Sequence, residues 1–175
     1  MRKFLILSAA VITFGWSSAA AEPGQVTPSE AFQEKLTEEY GQREWDRLSA
    51  KLQSRIDIAF EDRGLSDVHY DVHYKVVIVD ATPNHPTWKQ ASDTPGLDMF
   101  RSVSLGGAVI EGTSFDANGN ELAKERYSRK DHDLQFARTG STWSGATRAM
   151  TSFSKKFADA TSQAINQPPS NDTAS

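Results

Sequence analysis

The sequence predicts an α+β fold, a small and mainly antiparallel sheet of three or more strands packed against amphipathic helices. Three observations predict it. Apolar residues recur at three- and four-residue steps over residues 45–60 and again over 143–165, the period of a helix with one buried face. Between these stripes Val68, Tyr70, Val72, Tyr74, Val76 and Ile78 alternate with His69, Asp71, His73 and Lys75, the period of a strand with one apolar face. Further on, Asn118-Gly119 separates two strand-like runs, a strong local signal for a hairpin.

Taken in order, the chain opens with Met1-Arg2-Lys3, an apolar run over residues 4–16, and small residues ending in Ala19-Ala20-Ala21. These are the three parts of a cleavable secretory signal over residues 1–21. Its apolar run is shorter than the roughly 20 residues of a spanning helix. Thr27-Pro28-Ser29-Glu30 reads as a helix opening, with Thr27 as cap, Pro28 at the first helical position and Glu30 reaching back. Gly41 interrupts that helix, and Trp45, Leu48, Leu52, Ile56, Ala59 and Phe60 carry a second one, stopped at Gly64. A strand follows from Val68, expected to be covered on both faces around Val77 and Val79. Residues 81–99 hold Pro83, Pro86, Pro95 and Gly96, too many breakers for a strand, with room for one helical turn over 87–92.

A second strand is expected over residues 100–115, with Gly106-Gly107 marking a bulge or a close backbone approach. The turn 116–120 leads into a charged returning strand, 121–130, suited to a sheet edge. A polar loop precedes the last helix, for which Ser141 or Thr142 can cap and which Gln167-Pro168-Pro169 ends. The domain organisation so read is a signal (1–21), a single α+β domain (22–166) and a disordered polar tail (167–175).

The chain carries 19 basic against 23 acidic residues, a net charge of −4. Loss of the signal removes Arg2 and Lys3 and no acid, leaving 17 against 23 and a net of −6. That balance argues against nucleic acid, which is held by clustered Lys and Arg, and against anionic lipid. There is no cysteine, so there is neither disulfide nor thiol chemistry, nor the lipidated cysteine of a bacterial lipoprotein. No further run is long enough to span a bilayer once the signal is removed. The expected location is the periplasm, or the medium.

Chemistry-bearing candidates are few. Asp67, His69, Asp71 and His73 share one face of the expected strand, neighbours roughly 6–7 Å apart. His69 and His73 could chelate zinc or copper with a carboxylate such as Asp71 as third ligand; the alternative is the solvated face of a half-buried strand. His85, His132 and Asp133 could join only if the fold brings them near. Residues 116–120 echo the start of a calcium loop, but Glu121 stands where Gly is needed and Tyr127 where Glu is needed, and turn chemistry explains them fully. Gly140-Ser141 offers N–H groups to an anion, or an ordinary helix start. Trp88, alone in the proline-rich loop, either anchors a partner or folds back over the core. Neither Gly-x-Ser-x-Gly nor His-Glu-x-x-His occurs.

The run Val77-Ile78-Val79-Asp80-Ala81-Thr82-Pro83-Asn84, then Gly106-Gly107-Ala108-Val109-Ile110-Glu111-Gly112, then Phe115-Asp116 through Asn118-Gly119 to Leu122-Ala123, resembles envelope proteins and lipoproteins of proteobacteria known only as domains of unknown function. The resemblance covers about half the chain and departs from the lipoprotein members in lacking their cysteine. It implies a free rather than an anchored protein, and no catalytic residues.

The function expected from these observations is that of a non-catalytic binding or accessory protein of the cell envelope, with another envelope protein as partner and no cofactor. Its contact surface would be the loop 82–99 with Trp88, together with the His69, Asp71 and His73 face. Two alternatives stand beside it: a metal-binding protein using His69, Asp71 and His73, and a small hydrolase whose site is assembled from scattered residues.

Overall fold

The computed structural model describes residues 24–65, 71–138 and 140–167. The expected signal segment and everything beyond Gln167 lie outside those residues, as do Asp67 and His69. The fold is α+β, as expected, with one four-stranded sheet in the order β1-β2-β3-β4.

The chain enters along β1 (Gln25–Pro28), which pairs parallel to β2 (His73–Thr82) with Val26 opposite Val76. This corrects the expectation of a helix opening at Thr27. Pro28 is the last residue of an edge strand, where its missing N–H costs nothing. Ser29 is the cap instead. Its Oγ accepts from the Phe32 N–H (3.1 Å) and donates to the Val79 carbonyl (2.7 Å), tying the start of α1 (Glu30–Lys35) to β2. The helix then widens into a π turn (Leu36–Tyr40) that Gly41 closes. The Gly41 N–H reaches back to the Leu36 carbonyl at 2.7 Å, and its φ of +94° is one that a residue with a side chain rarely adopts.

From there α2 (Gln42–Glu61) buries Leu48, Leu52, Ile56, Ala59 and Phe60, all five on the expected stripe that starts at Trp45. Strand β2 begins at His73 among the described residues, because Asp71 sits at φ +34° and breaks the extended chain. Its partner β3 (Gly107–Phe115) starts seven residues later than the expected 100. The loop between them holds α3 (Trp88–Asp93), within one residue of the expected helical turn. The Asn118-Gly119 hairpin joins β3 to β4 (Glu121–Lys130), the charged strand at the sheet's edge. Short α4 (Leu134–Arg138) occupies the expected loop, and α5 (Ser144–Asn166) starts at Trp143 with no side-chain cap, not at Ser141 or Thr142.

Helices α2 and α5 pack against each other, and α5 lies across β2, β3 and β4. Tyr74, Val76, Ile78, Ala108 and Ile110 meet Met150, Phe153 and Phe157 in one core. Gly112 admits the rings: a Cβ there would stand 2.7 Å from Phe153. The opposite face of the sheet is only half covered. Val77 and Val79 are half-buried there, Val79 at a bulge, which corrects the expectation of cover on both faces.

Candidate functional site

The loop after β2 is built from within. Pro83, Asn84, His85, Pro86 and Thr87 are all buried. Thr87 opens α3 with a capping box: its Oγ1 accepts from the Gln90 N–H (3.3 Å) and Gln90 Oε1 accepts from the Thr87 N–H (3.0 Å). With the residues before it anchored, Trp88 is turned outward and stays 71 % exposed, so it does not fold back over the core. The following turn is fixed by Asp98, whose Oδ1 accepts from the N–H groups of Phe100 (2.7 Å) and Arg101 (2.9 Å). Those two donors, Phe100 first, hold the Asp98 carboxyl below the usual carboxylate range.

Trp88 and Met99 stand at one end of a groove along α2. A cleft of about 520 Å³ is lined by them and by Tyr40, Arg43, Glu44, Arg47, Lys89 and Thr142, among others. A second cleft of about 490 Å³ continues past Arg47 and Thr142 to Lys51, Ser54 and Trp143. The boundary between them is pinned by Glu44, which is nearly buried and accepts from Trp143 Nε1 at 2.7 Å and from Arg47 at 3.2 Å. Tyr40, at the close of the π turn, packs edge-on against Trp143 with centroids 5.5 Å apart. Burial first, then the charges of Glu39 and Asp80, push the Tyr40 hydroxyl up to about 12. Lys89 pairs with Asp93 at 2.5 Å. Arg43 and Lys51 have no ion-pair partner among the described residues. The groove therefore carries surplus positive charge on a chain whose net charge is −4.

A buried polar node supports the groove floor. Asn84 is fully buried and uses both ends of its amide: Oδ1 accepts from the Gly145 N–H (2.6 Å) and Ser144 Oγ (3.0 Å), and Nδ2 donates to Asp131 Oδ2 (2.9 Å). Its main-chain N–H donates to the Thr142 carbonyl at 2.6 Å, fixing the loop that lines both clefts. Arg148 donates to the same Asp131 oxygen at 2.6 Å. Burial raises the Asp131 carboxyl, but the Asn84 and Arg148 hydrogen bonds and the Arg148 and Arg129 charges outweigh it and hold the group low. The node explains Gly106-Gly107, read from sequence as a close approach. A Cβ on Gly106 would fall 2.3 Å from Asn84 Oδ1, and one on Gly107 2.2 Å from the Arg129 carbonyl oxygen. No signal in the sequence marked Asn84 itself, one polar residue in an irregular loop.

The other candidates are placed apart. Asp71 is exposed and His73 opens β2, with Nε2 3.4 Å from Asp71 Oδ1; His69 lies outside the described residues. His73 is opposite Phe115 at the hairpin end of the sheet, whereas Thr82 and Lys130, which lead to His85 and to His132-Asp133, both flank Gly107 at the other end. Neither pair can join His73. Among the described residues no three His, Asp or Glu side chains are grouped to hold a metal ion. Asp116 is occupied by its own turn, accepting from the N–H groups of Asn118 (2.9 Å) and Asn120 (2.8 Å). The Gly145 N–H at the start of α5 is taken by Asn84, which removes it from any anion held after Gly140-Ser141.

No family model matches the chain, and no curated protein does. Among solved structures, one described as "a putative lipoprotein from Caulobacter crescentus CB15" is similar over 70 % of this chain and 87 % of its own, at 22 % identity and a TM-score of 0.36. A similarity of that size bears on neither ligand nor activity. No helix among the described residues is long and apolar enough to cross a membrane.

Proposed function

We propose that this is an exported binding protein of the cell envelope that works through the Trp88 groove rather than through a reaction. The observation that carries the reading is an indole left 71 % exposed at the mouth of a cleft of about 520 Å³, although the residues before it are locked by capping and burial. A large aromatic held rigidly beside a concave surface is the usual anchor of a partner. The export part rests on the secretory signal over residues 1–21. The partner is expected to be another envelope protein. Trp88→Ala tests the reading with little risk to folding. A partner retained by the wild-type protein from envelope extract should be lost from the variant. Retention of the full set of partners by Trp88→Ala contradicts the proposal.

A second reading, metal binding through His69, Asp71 and His73, is favoured by one contact, Nε2 of His73 lying 3.4 Å from Asp71 Oδ1. Zinc or copper bound only to the folded chain must raise its melting temperature. The rise should vanish in His69→Ala/His73→Ala, and its absence from the wild-type protein retires the reading.

A further inference from the structure

Three cations stand in one row along the groove. Arg43, Arg47 and Lys51 are spaced four residues apart on α2 and are all exposed, so they share one helix face at roughly 6 Å intervals. Arg47 is partly neutralised by Glu44, and the groove's other acid, Asp93, is paired with Lys89. The charges at the two ends of the row, Arg43 and Lys51, have no acidic partner among the described residues. The row faces the loop that carries Thr142 and Trp143, and beyond Arg43 it ends at Trp88 and Met99.

We infer that the groove takes an extended acidic peptide segment of a partner protein, with carboxylates at alternate positions facing Arg43, Arg47 and Lys51 and an apolar residue seated on Trp88. Alternate side chains of an extended chain point the same way roughly 6.6 Å apart. Over three positions that differs from the helix spacing by about 1 Å, which the long arms of Arg and Lys absorb. Charge complementarity names the occupant's sign, and the row's spacing names its conformation. Self-association is opposed by a different effect, the repulsion between two copies that each carry a net charge of −4. The inference rests on the Trp88 groove being a binding site and adds the chemistry of what it binds.

The test uses a fluorescein-labelled eight-residue peptide with Asp at positions two, four and six and Leu at both ends, read by anisotropy on the purified protein. Saturable binding is expected, weakening as salt is raised. Arg43→Glu/Lys51→Glu, two exposed substitutions, should weaken it by about tenfold or more. A peptide of the same composition with its three Asp in one block should bind less well. The inference is overturned if the alternating peptide does not bind, if charge reversal leaves its affinity unchanged, or if the block peptide binds equally. It is overturned too if a polyanionic glycan or single-stranded oligonucleotide displaces the peptide at lower concentration than unlabelled peptide does. Should Trp88→Ala lose its envelope partner while the peptide fails to bind, the groove remains a binding site and only the acidic-peptide assignment falls.

Discussion

Asn84 is the residue on which most of the local order depends, because one amide serves the β2–α3 loop, the segment before β3, Asp131 and the start of α5. Asn84→Ala leaves the Gly145 N–H without its acceptor and takes from Asp131 Oδ2 one donor while Arg148 stays, and an orphaned buried group costs about 1–3 kcal/mol. The expected loss is about 2–4 kcal/mol, measured as a lower urea midpoint at unchanged slope. Asn84→Asp should be worse, since an ionised carboxylate there cannot donate to Asp131 and sets a second negative charge against it. Asp131 makes a prediction in pH. Its carboxyl is held low in the folded protein, so the unfolded chain takes up the proton first on acidification. The stabilisation is present above the ordinary carboxyl value of about 4 and is lost as pH falls through the folded value. Melting temperatures between neutral pH and pH 3 should therefore fall more steeply for wild type than for Asp131→Asn, and equal slopes would remove Asp131 from the account.

At the scale of elements, α5 supplies the greatest single block of core. Phe153 and Phe157 are fully buried, stack on each other at 5.3 Å and close over Gly112 of β3. Phe153→Ala should cost about 3–5 kcal/mol by the transfer and cavity terms together. The same elements show what the sequence could reveal. Helices α2 and α5 and the 118–119 hairpin were legible because a 3.6-residue period and an Asn-Gly pair are local signals. Strand β1 was not, because Thr27-Pro28-Ser29-Glu30 satisfies the local rules for a helix opening while the pairing of Val26 with Val76 comes from 50 residues away. The late start of β3 and the Asn84 node were hidden for the same reason: Gly106-Gly107 announced that something approaches closely, but only the folded chain says that it is Asn84 and the Arg129 carbonyl. Gly107→Ala, which meets backbone that cannot swing aside, should destabilise by about 1–3 kcal/mol and shift the β3–β4 register, visible in cross-strand amide contacts.

On the scale of the whole molecule, α5 lies across the sheet with α2 packed against it, and the features proposed for binding gather at one end. The loop of Trp88, the floor held by Asn84 and the row Arg43, Arg47 and Lys51 meet where β2 ends, β3 begins and α5 starts. Asp71 and His73 stand at the other end of β2, where His73 is opposite Phe115. At the groove end, the exposure of Trp88 was open to either reading in the sequence, where it stood out as a lone tryptophan among prolines. The cations did not stand out, since an i, i+4, i+8 row on an amphipathic helix resembles any solvated face until a neighbouring loop turns it into a wall. The central claim, that this end is where the protein meets its partner, is tested most directly by photo-cross-linking in intact cells from a reactive residue placed at position 92, exposed on the same cleft as Trp88, with position 124 on the exposed edge strand as the comparison. A discrete adduct from position 92, absent from 124 and abolished by Arg43→Glu/Lys51→Glu, is the predicted result. Adducts of equal yield from both positions, or from 124 alone, would contradict it.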